Sequence, residues 1–420
     1  MQKFNNNPRK MRIAVVVPCF PCLSETFILN QIVEFVKMGH DVTIYAMSKP
    51  ANSILHQDYI KYRINLKTKY VYSEPRRKFC LRIKAVWLSL VHLFESPKLF
   101  GAGIIRMLFS NSEPFDYKKL FLFFLLGSQK QDVFFCHFGP MGEAAAYLKS
   151  LGLPGHLVTM FHGYDIRMAV SEARQKYEKL FRYADVILAN SEYTRHRLFE
   201  FGSFPEKTKF TPLGLDTDKF SKDSQYSANA KDKIVILTVC RLVEEKGLSY
   251  GISAFAEVVK NSSQEVFFYI LGDGPLRDSL EQQALSLGLK ERVVFWGCKT
   301  QEELLEFYKE ADIFFLPSIT EAFGLVLLEA QAMQLPIVAT RIGGIPEALV
   351  ENDSAFLVQS CDINAMAEKI LYLINNPEIR LKMGRAGRLF VERNYEINES
   401  NKKLIEILEE VIRGKIKALP

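Results

Sequence analysis

Short apolar runs alternate with longer amphipathic stretches through most of this chain. In the first half, Met11–Val17 (MRIAVVV), Asp41–Ala46, Asp132–Cys136, Leu157–Phe161 and Asp185–Ala189 have the length of strands. In the second half Ile234–Cys240, Val266–Leu271, Val293–Phe295, Ile313–Leu316 and Ile337–Ala339 do the same. Runs that are apolar at consecutive positions suit strands covered on both faces, as in a parallel sheet. Helical lengths fill the gaps: Ser24, able to act as N-cap, to Met38, then about Leu248–Val259, Leu276–Leu287, Glu302–Glu310, Gly324–Gln334 and Pro346–Val350. Strand, helix and strand with short links make parallel βαβ units, so the pattern predicts an α/β chain with two doubly wound halves. Lys49–Gln131 reads as long, basic, aromatic helices, and Asp362–Ile412 as amphipathic helix.

Thr211–Phe220 (TPLGLDTDKF) carries Pro, Gly and polar turn residues between the two alternations, which suits a link between domains. A length of 420 residues agrees with two domains of about 200 each. The expected boundaries are residues 1–212 and 213–397. Two Rossmann-like domains facing across a cleft is the predicted architecture, with ligand outside the carboxyl ends of the strands.

Composition changes this picture in one place. Hydrophobic residues at 48% and charged ones at 24% are those of a globular core, and the net charge is +6. The charge is uneven: residues 61–130 hold 14 Lys/Arg against 4 Asp/Glu, which leaves the remainder net acidic. RRKFCLRIKAVWLSLVHLF and YKKLFLFFLL interleave that charge with aromatic and aliphatic residues. Such helices either lie on an anionic membrane surface or present a solvated basic face over a core. No recognised motif accompanies the charge, so nucleic acid is not an expected partner. The apolar runs are too short for a membrane span, and the polar, basic Met1–Lys10 leads only into a short strand, so no signal peptide is expected. Seven scattered cysteines suggest reduced thiols and a cytoplasmic setting. Cys19 and Cys22 form a C-x-x-C in a loop after a strand, but with no second pair they point to neither zinc nor redox chemistry.

The candidate chemistry sits at predicted strand ends. Arg241 directly follows a strand, and Lys246 precedes Gly247 and the next helix. Two cations beside a helix N-terminus suit a phosphate; ordinary surface charge, with Glu244 and Glu245 between them, is the other reading. Gly272-Asp273-Gly274-Pro275 closes the next strand, where backbone passes close to something or simply turns. In Ala311–Thr340 a polar loop, Ser318–Phe323, carries Glu321, and the helix after it carries Glu329. The neighbours of Glu329 at three and four positions are Leu325, Val326, Ala332 and Met333, so its carboxylate needs donors: backbone or an Arg in a core, or a ligand. His162-Gly163-Tyr164-Asp165 closes a strand of the first half, where a His is either structural or a proton-handling ligand contact. Asp216-Thr217-Asp218 has a metal-holding D-x-D spacing but lies in the link, and is read as turn chemistry.

Taken together, these residues resemble glycosyltransferase family 4, the retaining transferases of the GT-B fold. The resemblance is carried by VCRLVEEKG (239–247), LGDGP (271–275), SITEAFGLVLLEA (318–330) with its E-x7-E at Glu321 and Glu329, and GGIPE (343–347). FHGYD (161–165), ILANSEYT (187–194) and GLDTDKF (214–220) match as well, so nearly the whole chain is covered. PCFPCLSETFI (18–28) is more narrowly similar to exopolysaccharide glycosyltransferases of the colanic acid and amylovoran type.

The resemblance implies a hexosyltransferase that needs no metal or other cofactor. Arg241 and Lys246 would bind the donor diphosphate, and backbone N–H groups at Phe323, Gly324 and Leu325 would face it, with Gly272 lining the same edge. Glu321 would hold sugar hydroxyls, Glu329 the ribose, Cys298 and Lys299 the base, and His162 the donor sugar near the reacting carbon. Ser24 and Asp165 fall on the acceptor side. Residues 398–420 would pack back on the first domain. The implied partners are a nucleotide-sugar, UDP-galactose or UDP-glucose from the subgroup with GDP-mannose open, a lipid-linked oligosaccharide, and the inner face of the cytoplasmic membrane. One departure stands out: many members open with a Gly-Gly loop toward the donor, where this chain has Pro-Cys-Leu-Ser-Glu (residues 21–25). A GT-B epimerase or phosphorylase is disfavoured by the E-x7-E with Arg241 and Lys246, a dehydrogenase by the missing G-x-G-x-x-G. A non-catalytic scaffold would tolerate loss of Glu321 or Lys246.

Overall fold

The computed structural model describes residues 10–22, 25–50, 57–71, 117–221 and 233–414. Among these residues the chain divides into two compact units, one drawn from Met1–Asn190, Thr194–Thr211 and Asn401–Pro420, the other from Ser191–Tyr193 and Pro212–Ser400. Ser24 and most of the basic block, residues 72–116, lie outside the described residues.

The first unit is built on a seven-stranded parallel sheet of β1 (Arg12–Cys19), β2 (Asp41–Ser48), β3 (Thr68–Tyr70), β4 (Val133–His137), β5 (His156–Phe161), β6 (Val186–Ala189) and β7 (Thr208–Phe210). Their order is β3-β2-β1-β4-β5-β6-β7. Ile13 pairs with Val42 on one side and Val133 on the other, and Ile13, Ala14, Val15 and Val17 are fully buried. That double covering is why the strand reads as an unbroken apolar run. The second unit holds six parallel strands, β8 (Lys233–Val239), β9 (Glu265–Leu271), β10 (Val293–Gly297), β11 (Ile313–Leu316), β12 (Ile337–Thr340) and β13 (Ala355–Val358), in the order β10-β9-β8-β11-β12-β13. Both orders reverse direction once, between β1 and β4 and between β8 and β11. At such a switch point the flanking loops part, leaving a crevice outside the strand carboxyl ends.

Three aspartates stand just before strands, although the apolar pattern places two of them, Asp132 and Asp185, inside. Asp132, Asp185 and Asp312 precede β4, β6 and β11, and each accepts a backbone N–H from the start of the neighbouring strand. The distances are 2.9 Å from Arg12, 2.7 Å from Leu157 and 3.0 Å from Val235. These bonds satisfy carboxylates at the buried amino edge of each sheet and pin strand register.

Other differences are local. Cys19 is the last residue of β1 rather than part of a following loop. The helix after β11 is Leu325–Ala332, and Ile345–Glu347 forms a 3₁₀ turn where a helix over Pro346–Val350 was expected. Asp216 accepts at 2.9 Å from the N–H of Lys219, closing a turn. The last helix, Ile397–Ile412, begins in the second unit, and from Asn401 onward it belongs with the first, where Lys209 Nζ meets Glu410 Oε2 at 3.1 Å. No helix among the described residues is long and apolar enough to cross a membrane.

Candidate active site

The loops after β8 and β11 meet at the second unit's switch point. After β8 the chain passes Cys240 and the exposed Arg241, then makes a 3₁₀ turn, Glu244–Lys246, before the helix Leu248–Asn261. That turn is stitched to the loop after β11 by two backbone bonds onto Glu245 O, from Ile319 N at 2.8 Å and Thr320 N at 3.1 Å. Side chains complete the join: Lys246 Nζ forms an ion pair with Glu321 Oε2, and the two side chains are only 14% and 13% exposed. A cation and an anion largely withdrawn from water hold each other in place until something of either charge competes.

The glycines of the flanking motifs serve close packing of these loops. Gly272, at φ +126°, has no room for a side chain, because a Cβ there would lie 1.9 Å from the carbonyl oxygen of Cys240. Gly343 lies at φ +51°, and its Cβ would sit 1.7 Å from Glu321 O. Both positions combine a left-handed backbone with contact against a neighbouring loop, so glycine is required twice over. The loops after β9, β8, β11 and β12 therefore nest side by side, with Arg241, Lys246 and Glu321 carried along that edge.

Gly324 is the N-cap of Leu325–Ala332 at φ 85°, with no side-chain capping bond. An N-terminus capped in this way offers its first N–H groups and the positive end of the helix dipole to an anion. The Phe323 side chain turns away into the core, 5.5 Å from the ring of Tyr395. One turn into the helix, Glu329 Oε2 accepts a hydrogen bond from Tyr308 Oη at 2.8 Å. Burial pushes the Glu329 carboxyl up to about 7, although the Tyr308 bond favours its charged form. Tyr308 was not singled out from the sequence, where it is one more aromatic on the apolar face of an amphipathic helix; it supplies a donor that the local neighbours of Glu329 lack.

Beyond β10, Cys298 is exposed and Lys299 Nζ lies 3.8 Å from Glu303 Oε1. The same ammonium stands 5.8 Å from the ring centroids of both Trp296 and Phe307, which are 5.1 Å apart. Trp296 remains 40% exposed, so this cluster presents an aromatic face as well as a cation. Among the described residues Glu321 and Glu329 share no hydrogen-bond partner; Glu321 lies in the loop before the helix and Glu329 within it.

In the first unit His162 follows β5 and is buried. Its Nε2 lies 3.2 Å from Nδ1 of His137, the last residue of β4, and the rings stack at 5.4 Å and 14°. Sequence reading passed over His137 because it sits at the end of an apolar strand without a motif of its own. Burial lowers His137 to about 3, and His162 falls well below the ordinary imidazole value through burial and through His137 itself. Both rings are therefore neutral near pH 7, with His137 Nε2 and His162 Nδ1 unpartnered among the described residues. Phe27 lies 4.7 Å from the His162 ring, and Phe138, next to His137, is held at φ 71°, ψ 141°, a conformation rare outside glycine. Asp165 is also buried: its Oδ2 accepts from Gly139 N at 2.7 Å and its Oδ1 from His162 N at 2.9 Å. Burial raises its carboxyl to about 7 despite those bonds. Asp165 thus ties the loop after β5 to the loop after β4 and fixes where His162 stands.

Comparison with known proteins bears on both units. Residues 24–219 match the family described as Glycosyltransferase Family 4, and residues 219–390 match Glycosyl transferases group 1. The amylovoran biosynthesis glycosyltransferase AmsK of Erwinia amylovora is 31% identical over 95% of this chain and 99% of its own. The protein named "Putative colanic acid biosynthesis glycosyltransferase WcaL" of Salmonella typhimurium is 31% identical over 96% of this chain and 100% of its own. Among solved structures, Anabaena HepE in complex with UDP and glucose superimposes with a TM-score of 0.72 at 17% identity, covering 95% of this chain and 100% of that one.

Proposed function

This chain belongs to glycosyltransferase family 4, and from that premise we propose that it moves a hexose, with retention, from a nucleotide-diphosphate sugar to a lipid-linked oligosaccharide during exopolysaccharide assembly. UDP-galactose or UDP-glucose is the proposed donor. The observation that carries the reading is the convergence of Arg241, Lys246, Glu321 and the Gly324-capped helix at one switch point.

In this reading the donor diphosphate lies against the helix N-terminus, and Arg241 and Lys246 balance the charge that grows on it as the glycosidic C–O bond breaks. Lys246 is paired with Glu321. A diphosphate arriving beside Lys246 shares that cation and lets Glu321 turn to the sugar hydroxyls. Glu329 accepts from the ribose, and the Cys298–Lys299 segment with Trp296 meets the base. Neutral His162 is assigned to the donor sugar near the reacting carbon, with Asp165 holding the loop that presents it; Ser24 is assigned to the acceptor side. The acceptor hydroxyl forms the new C–O bond on the face the phosphate leaves, and a phosphate oxygen takes its proton. Work at the inner face of the cytoplasmic membrane, through the basic block of residues 61–130, completes the proposal.

Incubating purified protein with UDP-galactose, UDP-glucose and GDP-mannose, separately and with lipid-linked acceptor, tests it. Acceptor-dependent release of UDP with the anomeric configuration kept in the product is the expected result. An inverted anomer would overturn the retaining mechanism, and GDP release from GDP-mannose alone would overturn the donor. Conversion of the sugar-nucleotide without acceptor would make the protein an epimerase.

A further inference from the structure

Tyr308 is fully buried on the helix Gln301–Glu310, its ring 6.2 Å from Phe220 and 6.0 Å from Phe314. Packing on both sides fixes where its hydroxyl points, and it points to Glu329 Oε2 at 2.8 Å. Among the described residues this is the one side-chain donor to Glu329. The bond costs neither partner freedom it would otherwise have: an unpaired hydroxyl or an unpaired carboxylate is expensive at that depth. Burial also keeps the phenol protonated, well above its ordinary range, so Tyr308 stays a donor at any physiological pH. An ionised carboxylate has about four acceptor directions, and a bond from Tyr308 takes one of them on Oε2. Among the described residues no hydrogen bond reaches Oε1, on a residue that keeps some exposure.

We propose that Tyr308 is a positioning residue of the nucleotide site, holding Glu329 so that Oε1 accepts from the ribose hydroxyls and the protein selects ribonucleotides over their deoxy forms. This rests on the proposed reading of Glu329 as the ribose contact. A vicinal diol donating to a carboxylate is a directional interaction, and a carboxylate free to rotate about its own axis satisfies the diol less well. Tyr308 supplies the fixed end of that arrangement from a neighbouring helix. The selection it enforces is for a ligand hydroxyl pair, independent of base and of sugar.

The test is isothermal titration of the full-length protein and its Tyr308→Phe variant with UDP, with GDP, and with the 2′,3′-dideoxy counterpart of each. Phe keeps the buried ring, so the core is retained, and unchanged binding of the dideoxy nucleotide reports an intact site within the same variant. For whichever nucleotide binds, the wild type is expected to prefer the ribose form by about tenfold or more. In Tyr308→Phe the ribose form weakens about tenfold and the dideoxy form does not change, so the preference collapses. A Tyr308→Phe preference equal to that of the wild type overturns the inference while leaving Glu329 as the ribose contact. Equal weakening of both forms also overturns it, because that is the signature of general loosening. If the wild type shows no ribose preference, or binds neither nucleotide, the reading of Glu329 itself fails.

Discussion

Lys246 and Glu321 form an ion pair that joins the end of β8 to the end of β11, with both side chains largely buried. A single substitution leaves the other charge poorly hydrated and without its partner, yet the two losses differ in consequence. Lys246→Met removes a cation proposed to meet the leaving diphosphate, and transfer is expected to fall by about 100-fold or more. Glu321→Gln frees Lys246 for phosphate while removing a sugar contact. Binding of UDP is then expected to hold or tighten while turnover collapses. Initial rates and UDP titration on the two variants separate these outcomes; a Lys246→Met enzyme with full turnover would remove Lys246 from the mechanism.

Glu329 trades stability for its place in the helix. Its folded-state carboxyl lies near 7, above its ordinary value of 4.5, because burial disfavours the charge. Between those values the folded chain keeps a proton that the unfolded chain has released, so stability falls as pH rises through the window and stays lower above 7. Glu329→Gln removes that penalty and can still accept from Tyr308. The variant is expected to be more stable at pH 8 by about 1–3 kcal/mol and nearly unchanged at pH 4.5. Denaturant melts at the two pH values check this, and nucleotide titration of the same variant should show the affinity it gave up.

Much of this arrangement is legible in the sequence. The buried strands β1, β4, β8 and β11 announce themselves because parallel strands covered on both faces are apolar at every position. Arg241, Lys246 and Glu321 stand out because each follows such a strand and so lands on a shared edge. The short edge strands β3 (Thr68–Tyr70) and β7 (Thr208–Phe210) were not readable, since Thr-Lys-Tyr and Thr-Lys-Phe carry no pattern over three residues. Tyr308 and His137 escaped for a different reason. Their partners, Glu329 and His162, lie on other elements, and only side-chain packing between elements decides which aromatic in a helix or which residue at a strand end makes the contact.

Asp165 offers a test of how the first unit holds His162. Both carboxylate oxygens accept buried backbone N–H groups, from Gly139 and His162. Asn at this position has one acceptor oxygen and one donor amide, so one of the two N–H groups is left without a partner. Asp165→Asn therefore costs about 1–3 kcal/mol for the lost bond. This cost should emerge below about pH 6, where the raised carboxyl is uncharged in the folded chain, and be offset above about pH 7 by removal of the buried charge. The loss should be seen by calorimetry at the lower pH and accompanied by a change in His162 imidazole NMR shifts. A variant as stable as wild type there would mean that water or a rearranged loop replaces the lost bond.

Arg241 and Lys246 also bear on whether the leaving group needs a divalent cation. In the proposed mechanism these two side chains meet the diphosphate charge, a role that a bound Mg²⁺ or Mn²⁺ fills in other phosphate-handling sites. Transfer is then expected to be unchanged by excess EDTA and not to rise with added Mg²⁺ or Mn²⁺. Because Coulomb contacts to a diphosphate at a partly exposed edge are screened by salt, KM for the donor should rise as ionic strength increases while kcat changes less. Rates measured with chelator, with each metal and across a salt series distinguish the cases. Loss of activity in EDTA that returns with one metal would transfer the leaving-group role from Arg241 and Lys246 to that ion.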